Sequence, residues 1–272
     1  MTDRYAVFGH PIHHTKSPII HALFAKQTGQ DLIYQAILAP LDGFTECVTQ
    51  FQAGGGKGAN ITVPFKEQAF ALCTQRTQRA ERAGAVNTFK FENDAVIGDN
   101  TDGAGLVIDL TRNLDVSLAN KHILLLGAGG AAHGVIGPLL ECDPARLVIA
   151  NRTASRAIDL AKQFRQYGYQ TVEGCGLEDL VQPFDLVINA TSASLGGELP
   201  ALPPHIFKPK ALAYDMMYGN ESSPFLRLAR QHGSHIADGL GMLVEQAAEA
   251  FYFWRGVCPE TQSVLAALRG VQ

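Results

Sequence analysis

The chain has 272 residues, of which 46% are hydrophobic and 18% charged, with a formal net charge of −4. That length suits one large domain or two of ordinary size, with ample apolar content for a core. The negative balance argues against nucleic acid or an anionic membrane as the main partner, and no run approaches eighteen apolar residues, so no bilayer span is expected.

The five cysteines (Cys47, Cys73, Cys142, Cys175, Cys258) are odd in number, scattered and never in a Cys-x-x-Cys pair. The apolar start at Tyr5 is soon cut off by Gly9, His10 and Pro11. Reduced thiols in a cytoplasmic protein without a signal peptide are therefore expected.

Residues 5–9 read as a first strand. Ser17 followed by Pro18 predicts a helix start, with serine as N-cap and proline at the first helical position. Ile20, Leu23 and Phe24 give that helix its apolar stripe, and Gly29 closes it. A strand over 33–38 follows, then a helix marked by Phe44, Val48 and Phe51 and ended by Gly54-Gly55-Gly56. A short strand at 58–63 runs into a helix that carries Lys66, with Pro64 at the join. Residues 77–82 suggest a further, polar helix face. Residues 86–91 and 95–98 predict a hairpin turned by Asn93-Asp94. These first hundred residues alternate strands and helices, carry no nucleotide fingerprint, and look like a complete substrate domain. Asp99-Asn100-Thr101-Asp102-Gly103 ends the hairpin and opens a helix, 105–114, expected to cross to a second domain.

That second domain opens on Ile123-Leu124-Leu125-Leu126, an aliphatic run suited to a strand buried on both faces. Gly127-Ala128-Gly129-Gly130-Ala131-Ala132 follows, and the spacing Gly127-x-Gly129-x-x-Ala132 fits the dinucleotide fingerprint. One glycine makes the turn, the next lets backbone approach a pyrophosphate, and the small third residue lets helix pack on strand. The helix over 131–140 then turns its first N–H groups toward the phosphates. The plain alternative is an ordinary strand-to-helix turn. After a second aliphatic run at 147–150, an acid would hold the ribose 2′-hydroxyl of NAD. The chain instead offers Asn151-Arg152-Thr153, with Arg156 beyond and no acid between Arg146 and Ser155. Guanidinium groups there suit the 2′-phosphate of NADP, whereas solvating a helix N-terminus would be mildly unfavourable for them.

A helix over 155–164, a strand over 185–188 and a loop from Thr191 to Pro204 follow. The loop's Gly196-Gly197 and its prolines suggest mobility. Strands are expected at 211–214 and 235–237, before Asp238-Gly239-Leu240-Gly241-Met242. A helix over 243–254 is apolar over much of its surface and is expected to be buried and to return to the first domain. The predicted fold is α/β with two lobes: an N-terminal substrate domain with a mixed sheet (1–101 plus 240–272), and a Rossmann-like NADP domain (102–239). The active cleft is expected between them.

A nicotinamide enzyme that interconverts alcohol and ketone needs a general acid/base beside the reacting oxygen. Lys66 lies near a helix start, where the dipole disfavours an ammonium, while Asp102 at another helix start is favoured as a carboxylate. If folding joins them, Asp102 would orient Lys66. Spacing alone leaves open a surface lysine and a plain N-cap. Thr15, Ser17, Asn60, Thr62 and Asn87 are short polar side chains at strand ends, suited to a small polyol or carboxylate, although capping and turn formation also explain such residues. His10, His13 and His14 have no carboxylate or cysteine nearby at ligand spacing, so no metal is expected.

Taken together, these stretches resemble the shikimate dehydrogenases of the short, single-function bacterial type, nearly end to end. The matching segments are Tyr5 to Gly9 with Pro11-Ile12 and Lys16-Ser17-Pro18, Gly58 to Glu67, Gly84 to Thr88, and Gly98 to Gly103. Gly127 to Ala131, Asn151-Arg152-Thr153, Asn189 to Ser192, Tyr214-Asp215-Met216, and Asp238 to Met242 with Gln246 complete the likeness. The resemblance implies a reversible, NADP-dependent reduction of 3-dehydroshikimate to shikimate on the way to chorismate and the aromatic amino acids. It implies Lys66 and Asp102 as the catalytic pair, and Asn87 and Gln246 at ring hydroxyls. Thr15, Ser17, Thr62 and Tyr218 would surround the substrate carboxylate and the neighbouring ring. Gly127, Ala128, Gly129, Gly130 and Ala131 would hold the pyrophosphate, and Asn151, Arg152, Thr153 and Arg156 the 2′-phosphate. Met216 and Gly239 would line the nicotinamide. A small-molecule substrate, neither nucleic acid nor membrane, and a monomer or homodimer complete the expectation.

Three departures stand out. Thr15 replaces the usual serine, adding a methyl group and stiffness at χ1. His10 replaces the commoner asparagine, and Ala193-Ser194-Leu195 replaces a glycine-containing continuation. Two other readings stay open. A quinate/shikimate dehydrogenase of broader substrate and cofactor range would be favoured by an acid near 151, where Asn151-Arg152 stands. A non-catalytic NADP- or metabolite-sensing protein on the same fold would be expected to lack Lys66 or Asp102, yet both are present.

Overall fold

The computed structural model describes residues 2–191, 202–219 and 221–270. They form two compact units, Met1–Gly105 with Leu243–Gln272, and Leu106–Met242. The expected division at 101/102 and 239/240 differs by a few residues at each crossing. Residues 102–105 stay with the first unit, where Asp102 is tied to Lys66 and Asn87, and Met242 stays in the core of the second.

In the first unit, β1 (Asp3–Gly9), α1 (Ser17–Thr28), β2 (Leu32–Leu38), α2 (Phe44–Ala53) and β3 (Gly56–Ile61) come first. They are followed by α3 (Lys66–Leu72), the two-residue β4 (Gln75–Arg76), α4 (Gln78–Ala83), β5 (Thr88–Glu92) and β6 (Ala95–Asp99). Among the described residues these strands form one sheet in the order β2-β1-β3-β5-β6-β4. β1 runs parallel to β2 and β3, while β5 is antiparallel to β3 and β6, so the sheet is mixed. Side chains alternate across a strand, and both faces of β1 are covered. Ala6 and Phe8 join Phe44, Phe51, Phe65 and Phe89 on one side; Tyr5 and Val7 join Tyr34, Ala250 and Trp254 on the other.

α5 (Asp102–Ile108) leads into the second unit and continues as a π-turn, Asp109–Asn113. The helix thus opens at Asp102, earlier than the expected 105, and widens where the buried Asp109 carboxylate accepts bonds from Tyr214 Oη (2.6 Å) and Asn113 Nδ2 (2.8 Å). Next come β7 (His122–Leu126), α6 (Gly130–Leu140), β8 (Arg146–Asn151), α7 (Ala154–Gln166), β9 (Val172–Gly176) and β10 (Phe184–Asn189). β11 (Phe207–Asp215), α8 (Pro224–Gln231) and β12 (His235–Asp238) follow. The second sheet is parallel throughout, in the order β12-β11-β10-β7-β8-β9. That is the doubly wound, Rossmann-like order, with its switch point at the carboxyl end of β7 between β8 and β10. Ile123 and Leu125 face one core cluster and Leu124 and Leu126 the other, as a strand sandwiched between helix layers requires.

α9 (Leu240–Arg255) carries the chain back to the first unit, where Trp254 donates its indole N–H to the Phe89 carbonyl (2.8 Å), and α10 (Gln262–Gly270) closes the described chain. Two local expectations are corrected. Ser17 is not the N-cap of α1: it is the first helical residue, Lys16 holds the cap position, and no side chain caps the helix. The hairpin begins at Thr88, because the Val86 N–H turns to the Lys66 carbonyl (2.9 Å) and not to the partner strand. Ala193-Ser194-Leu195 and Gly196-Gly197 lie outside the described residues.

Candidate active site

The first unit gathers four of the expected residues. α3 starts at Lys66 because Phe65, buried and stacked on Phe44 with ring centroids 4.5 Å apart, anchors the preceding turn. Lys66 Nζ donates to Asp102 Oδ2 at 2.6 Å, and the side chains are only 14% and 8% exposed. Asp102 Oδ1 accepts from Asn87 Nδ2 (2.8 Å), and its backbone N–H donates to Asn100 Oδ1 (3.2 Å). Gln246 Oε1, on α9, stands 3.5 Å from Asn87 Nδ2 and 3.4 Å from Thr101 Oγ1. A charged amine, a carboxylate and two amides thus converge, every partner restrained by another. Charge-assisted bonds of this kind are the strong ones, and at low exposure water screens them little.

A second polar group lies at the carboxyl ends of β1 and β3. The Thr15 hydroxyl donates to Ser17 Oγ (3.1 Å) and accepts from the Ser17 N–H (3.3 Å). Thr62 is held by its N–H on Phe8 O (2.9 Å). On β2, the buried Tyr34 hydroxyl donates to Asn60 Oδ1 (2.7 Å), and Asn60 Nδ2 donates to Thr88 Oγ1 (3.0 Å) and to the Asn87 carbonyl (3.3 Å). A hydrogen-bonded chain therefore runs from Tyr34 to Asn87. It is uncharged: burial drives the Tyr34 phenol well above its ordinary range, and burial lowers the stacked His21 imidazole to about 3.

Thr101 and Thr88 belong to the constellation although sequence reading passed over them. Thr101 N–H and Thr88 Oγ1 both donate to Asn87 Oδ1 at 2.8 Å, which fixes the orientation of that amide. Thr101 precedes Asp102 directly in the sequence, but nothing in spacing separates a threonine that orients a neighbour from one that fills a turn.

The second unit holds the remaining expected residues. Gly127 lies at φ +107°, where an L side chain is strained, and it ends the strand at the switch point. Gly129 precedes α6 with no side chain capping the helix, and a Cβ at Gly129 or Gly130 would meet only open space. Ala131 and Ala128 flank this turn, and Ala132 is fully buried against the sheet. Backbone N–H groups at such an end suit a pyrophosphate. At the end of β8, Asn151 Nδ2 donates to the Thr153 carbonyl (3.0 Å), and the Arg152 and Arg156 side chains are exposed. Donors without a carboxylate suit a phosphate better than a diol, so the residues fit NADP. Met216 follows β11 with its N–H on Asn189 O (3.0 Å). Gly239 lies against it: a Cβ there would come within 2.2 Å of Met216 O, so only glycine fits. Buried Asp215 steadies this stretch by accepting from Asn189 Nδ2 (3.2 Å), Met217 N–H (3.1 Å) and Ser223 Oγ (2.5 Å). Tyr218 follows in the same unit and is half-buried.

Comparison with known proteins places this geometry. Residues 7–89 match the model of the shikimate dehydrogenase substrate binding domain, 109–196 that of shikimate/quinate 5-dehydrogenase, and 239–269 that of the shikimate 5′-dehydrogenase C-terminal domain. The chain is 59% identical over 269 residues to the shikimate dehydrogenase (NADP(+)) of Herminiimonas arsenicoxydans, covering 99% of this chain and 98% of that one. Among solved structures, an Ael1 enzyme from Pseudomonas putida superposes with a TM-score of 0.92 at 50% identity, covering 98% of each chain. The Thermus thermophilus shikimate 5-dehydrogenase, solved with NADP(H) and shikimate, superposes with a TM-score of 0.88 at 32% identity over 100% of both.

Proposed function

The chain belongs to the shikimate dehydrogenase family, and from that premise we propose that it catalyses the reversible, NADP-dependent reduction of 3-dehydroshikimate to shikimate, with Lys66 and Asp102 at the reacting oxygen. It is an oxidoreductase acting on a CH–OH group, in the biosynthesis of chorismate and the aromatic amino acids. The observation that carries the residue assignment is the 2.6 Å contact between Lys66 Nζ and Asp102 Oδ2, with Asn87 on the other carboxylate oxygen.

NADP held by the second unit would supply the hydride chemistry at the carbonyl carbon. Lys66 gives the ketone oxygen the proton it gains as the C–O double bond becomes single, and takes it back in the oxidative direction. Asp102 orients the ammonium and offsets its charge. Asn87 and Gln246 bind ring hydroxyls, their amides fixed by Thr101 and by the Leu243 carbonyl that accepts from Gln246 Nε2 (2.8 Å). Thr15, Ser17 and Thr62, with Tyr218, hold the substrate carboxylate and the adjoining ring. The first unit is the substrate domain and the second the NADP domain. In the latter, Gly127, Ala128, Gly129, Gly130 and Ala131 take the pyrophosphate, Asn151, Arg152, Thr153 and Arg156 the 2′-phosphate, and Met216 and Gly239 the nicotinamide.

No helix among the described residues is long and apolar enough to cross a membrane, and the net charge is −4. A cytoplasmic monomer or homodimer that acts on a small molecule and binds no nucleic acid fits these features. Absorbance at 340 nm, followed with shikimate and quinate against NADP⁺ and NAD⁺, tests the reading. The expected result is strong reduction of NADP⁺ by shikimate and far weaker signals in the other three pairings. Equal rates with quinate or with NAD⁺ would favour the broader quinate/shikimate activity, and no reduction in any pairing would favour a sensing role.

A further inference from the structure

A partly buried charged cluster outside the reacting pair centres on Arg79 of α4. Its Nε donates to Asp99 Oδ1 (2.7 Å) and its Nη2 to Asp99 Oδ2 (2.5 Å), a two-pronged grip on a carboxylate that is 1% exposed. Its Nη1 reaches Glu249 Oε2 on α9 at 3.1 Å. Asp99 ends β6, and the chain runs from it straight into Asn100, Thr101 and Asp102. Glu249 lies one helical turn beyond Gln246 on α9. A single guanidinium therefore ties together the two backbone segments that present Asp102 and Gln246.

The stretch 99–102 is held at every residue. Asp99 also accepts from Thr77 Oγ1 (2.6 Å), Asn100 Nδ2 donates to Ala85 O (2.9 Å), Thr101 N–H donates to Asn87, and Asp102 meets Lys66. Of these ties only the Arg79 fork also reaches α9 through an ion pair. Planar, bidentate pairing fixes orientation as well as distance, which an ammonium cannot do.

We propose that Arg79 is a positioning residue for the reaction: its guanidinium sets the register of stretch 99–102 against α9, and so places the Asp102 carboxylate and the Gln246 amide for the substrate. This rests on Lys66 and Asp102 being the reacting pair. Misplacing a reacting group by about 1 Å can cost on the order of 10²-fold in rate.

The test compares Arg79→Gln and Arg79→Lys with Arg255→Gln in steady-state kinetics and thermal unfolding. Arg255 is a matched control. It ties α9 to the rest of the first unit through Asp3, Tyr5 and Gln30, and contacts none of the site residues. Arg79→Gln is expected to lower kcat on the order of 10- to 100-fold, while KM for NADP⁺ stays within about twofold. Arg79→Lys should recover only part of the loss. Arg255→Gln should lower Tm but leave kcat within about twofold. A folded Arg79→Gln with parental kcat, or an equal kcat loss in Arg255→Gln, overturns the proposal. If Arg79→Gln does not fold, parental kcat in Arg79→Lys overturns it. Lys66→Ala is run alongside: parental kcat there would sink the underlying assignment, whereas loss there with parental kcat in the Arg79 variants sinks the positioning role alone.

Discussion

Lys66→Ala is expected to lower kcat by roughly 10²-fold or more, the usual worth of a positioned general acid/base, with a smaller change in KM. The reason is specific to where the amine sits. It contacts Asp102 at 2.6 Å with little exposure, and the carboxylate keeps Asn87 as a partner after the amine is gone. The proposed hydroxyl ligands, Asn87 and Gln246, are therefore left largely in place, and binding is expected to suffer less than turnover. Breaking a buried ion pair by removing one partner can also cost about 3–5 kcal/mol of stability. Rates are accordingly to be normalised to folded protein, measured by thermal unfolding in the same buffer. A kcat close to the parent's would take Lys66 out of the reaction.

Arg152→Ala is expected to weaken NADP binding by roughly 10- to 100-fold, the value of a hydrogen bond to a charged group of about 1.5–3 kcal/mol. NAD binding should change little. The guanidinium sits exposed at the end of β8, where the sequence Asn151-Arg152-Thr153 offers donors and no carboxylate. Only the 2′-phosphate distinguishes the two cofactors there, so a true phosphate contact appears as a selective loss. Titrating NADP⁺ and NAD⁺ separately against the variant, with fluorescence or calorimetry, gives both constants. Equal weakening of the two would mean that Arg152 does not read the phosphate.

What the sequence made legible was local. Ile123 to Leu126 announced a strand sandwiched between layers, and the glycine spacing after it announced the turn at Gly127, because both signals depend on residues a few positions apart. The strand β9 escaped notice: Val172-Glu173-Gly174-Cys175-Gly176 has no aliphatic run, and Gly174 is there because the α7 backbone presses close, a Cβ falling 2.3 Å from Ala157 O. Helix α8 carries a legible sign in the sequence. Ser223-Pro224 repeats Ser17-Pro18, and here the serine does cap, accepting from Leu226 N–H at 3.3 Å. The same dipeptide gives different outcomes because the Ser17 hydroxyl and N–H are engaged by Thr15, two residues back. The meeting of Lys66 with Asp102 is illegible from spacing because only the fold brings residues so far apart in sequence together. It depends on β3, β5 and β6 aligning so that Asn60, Thr88 and Asp99 stand side by side, a register set by the packing of the whole sheet. Family resemblance supplied that pairing where periodicity could not.

The most direct measurement is kcat for Lys66→Ala, Asp102→Asn and the double variant, taken with shikimate and NADP⁺ at saturation. Groups that act as one unit lose their effect together, so the double variant should be little slower than the slower of the two single variants. Losses that instead multiply in the double variant would mean that the amine and the carboxylate act independently, and would contradict a shared role at the reacting oxygen.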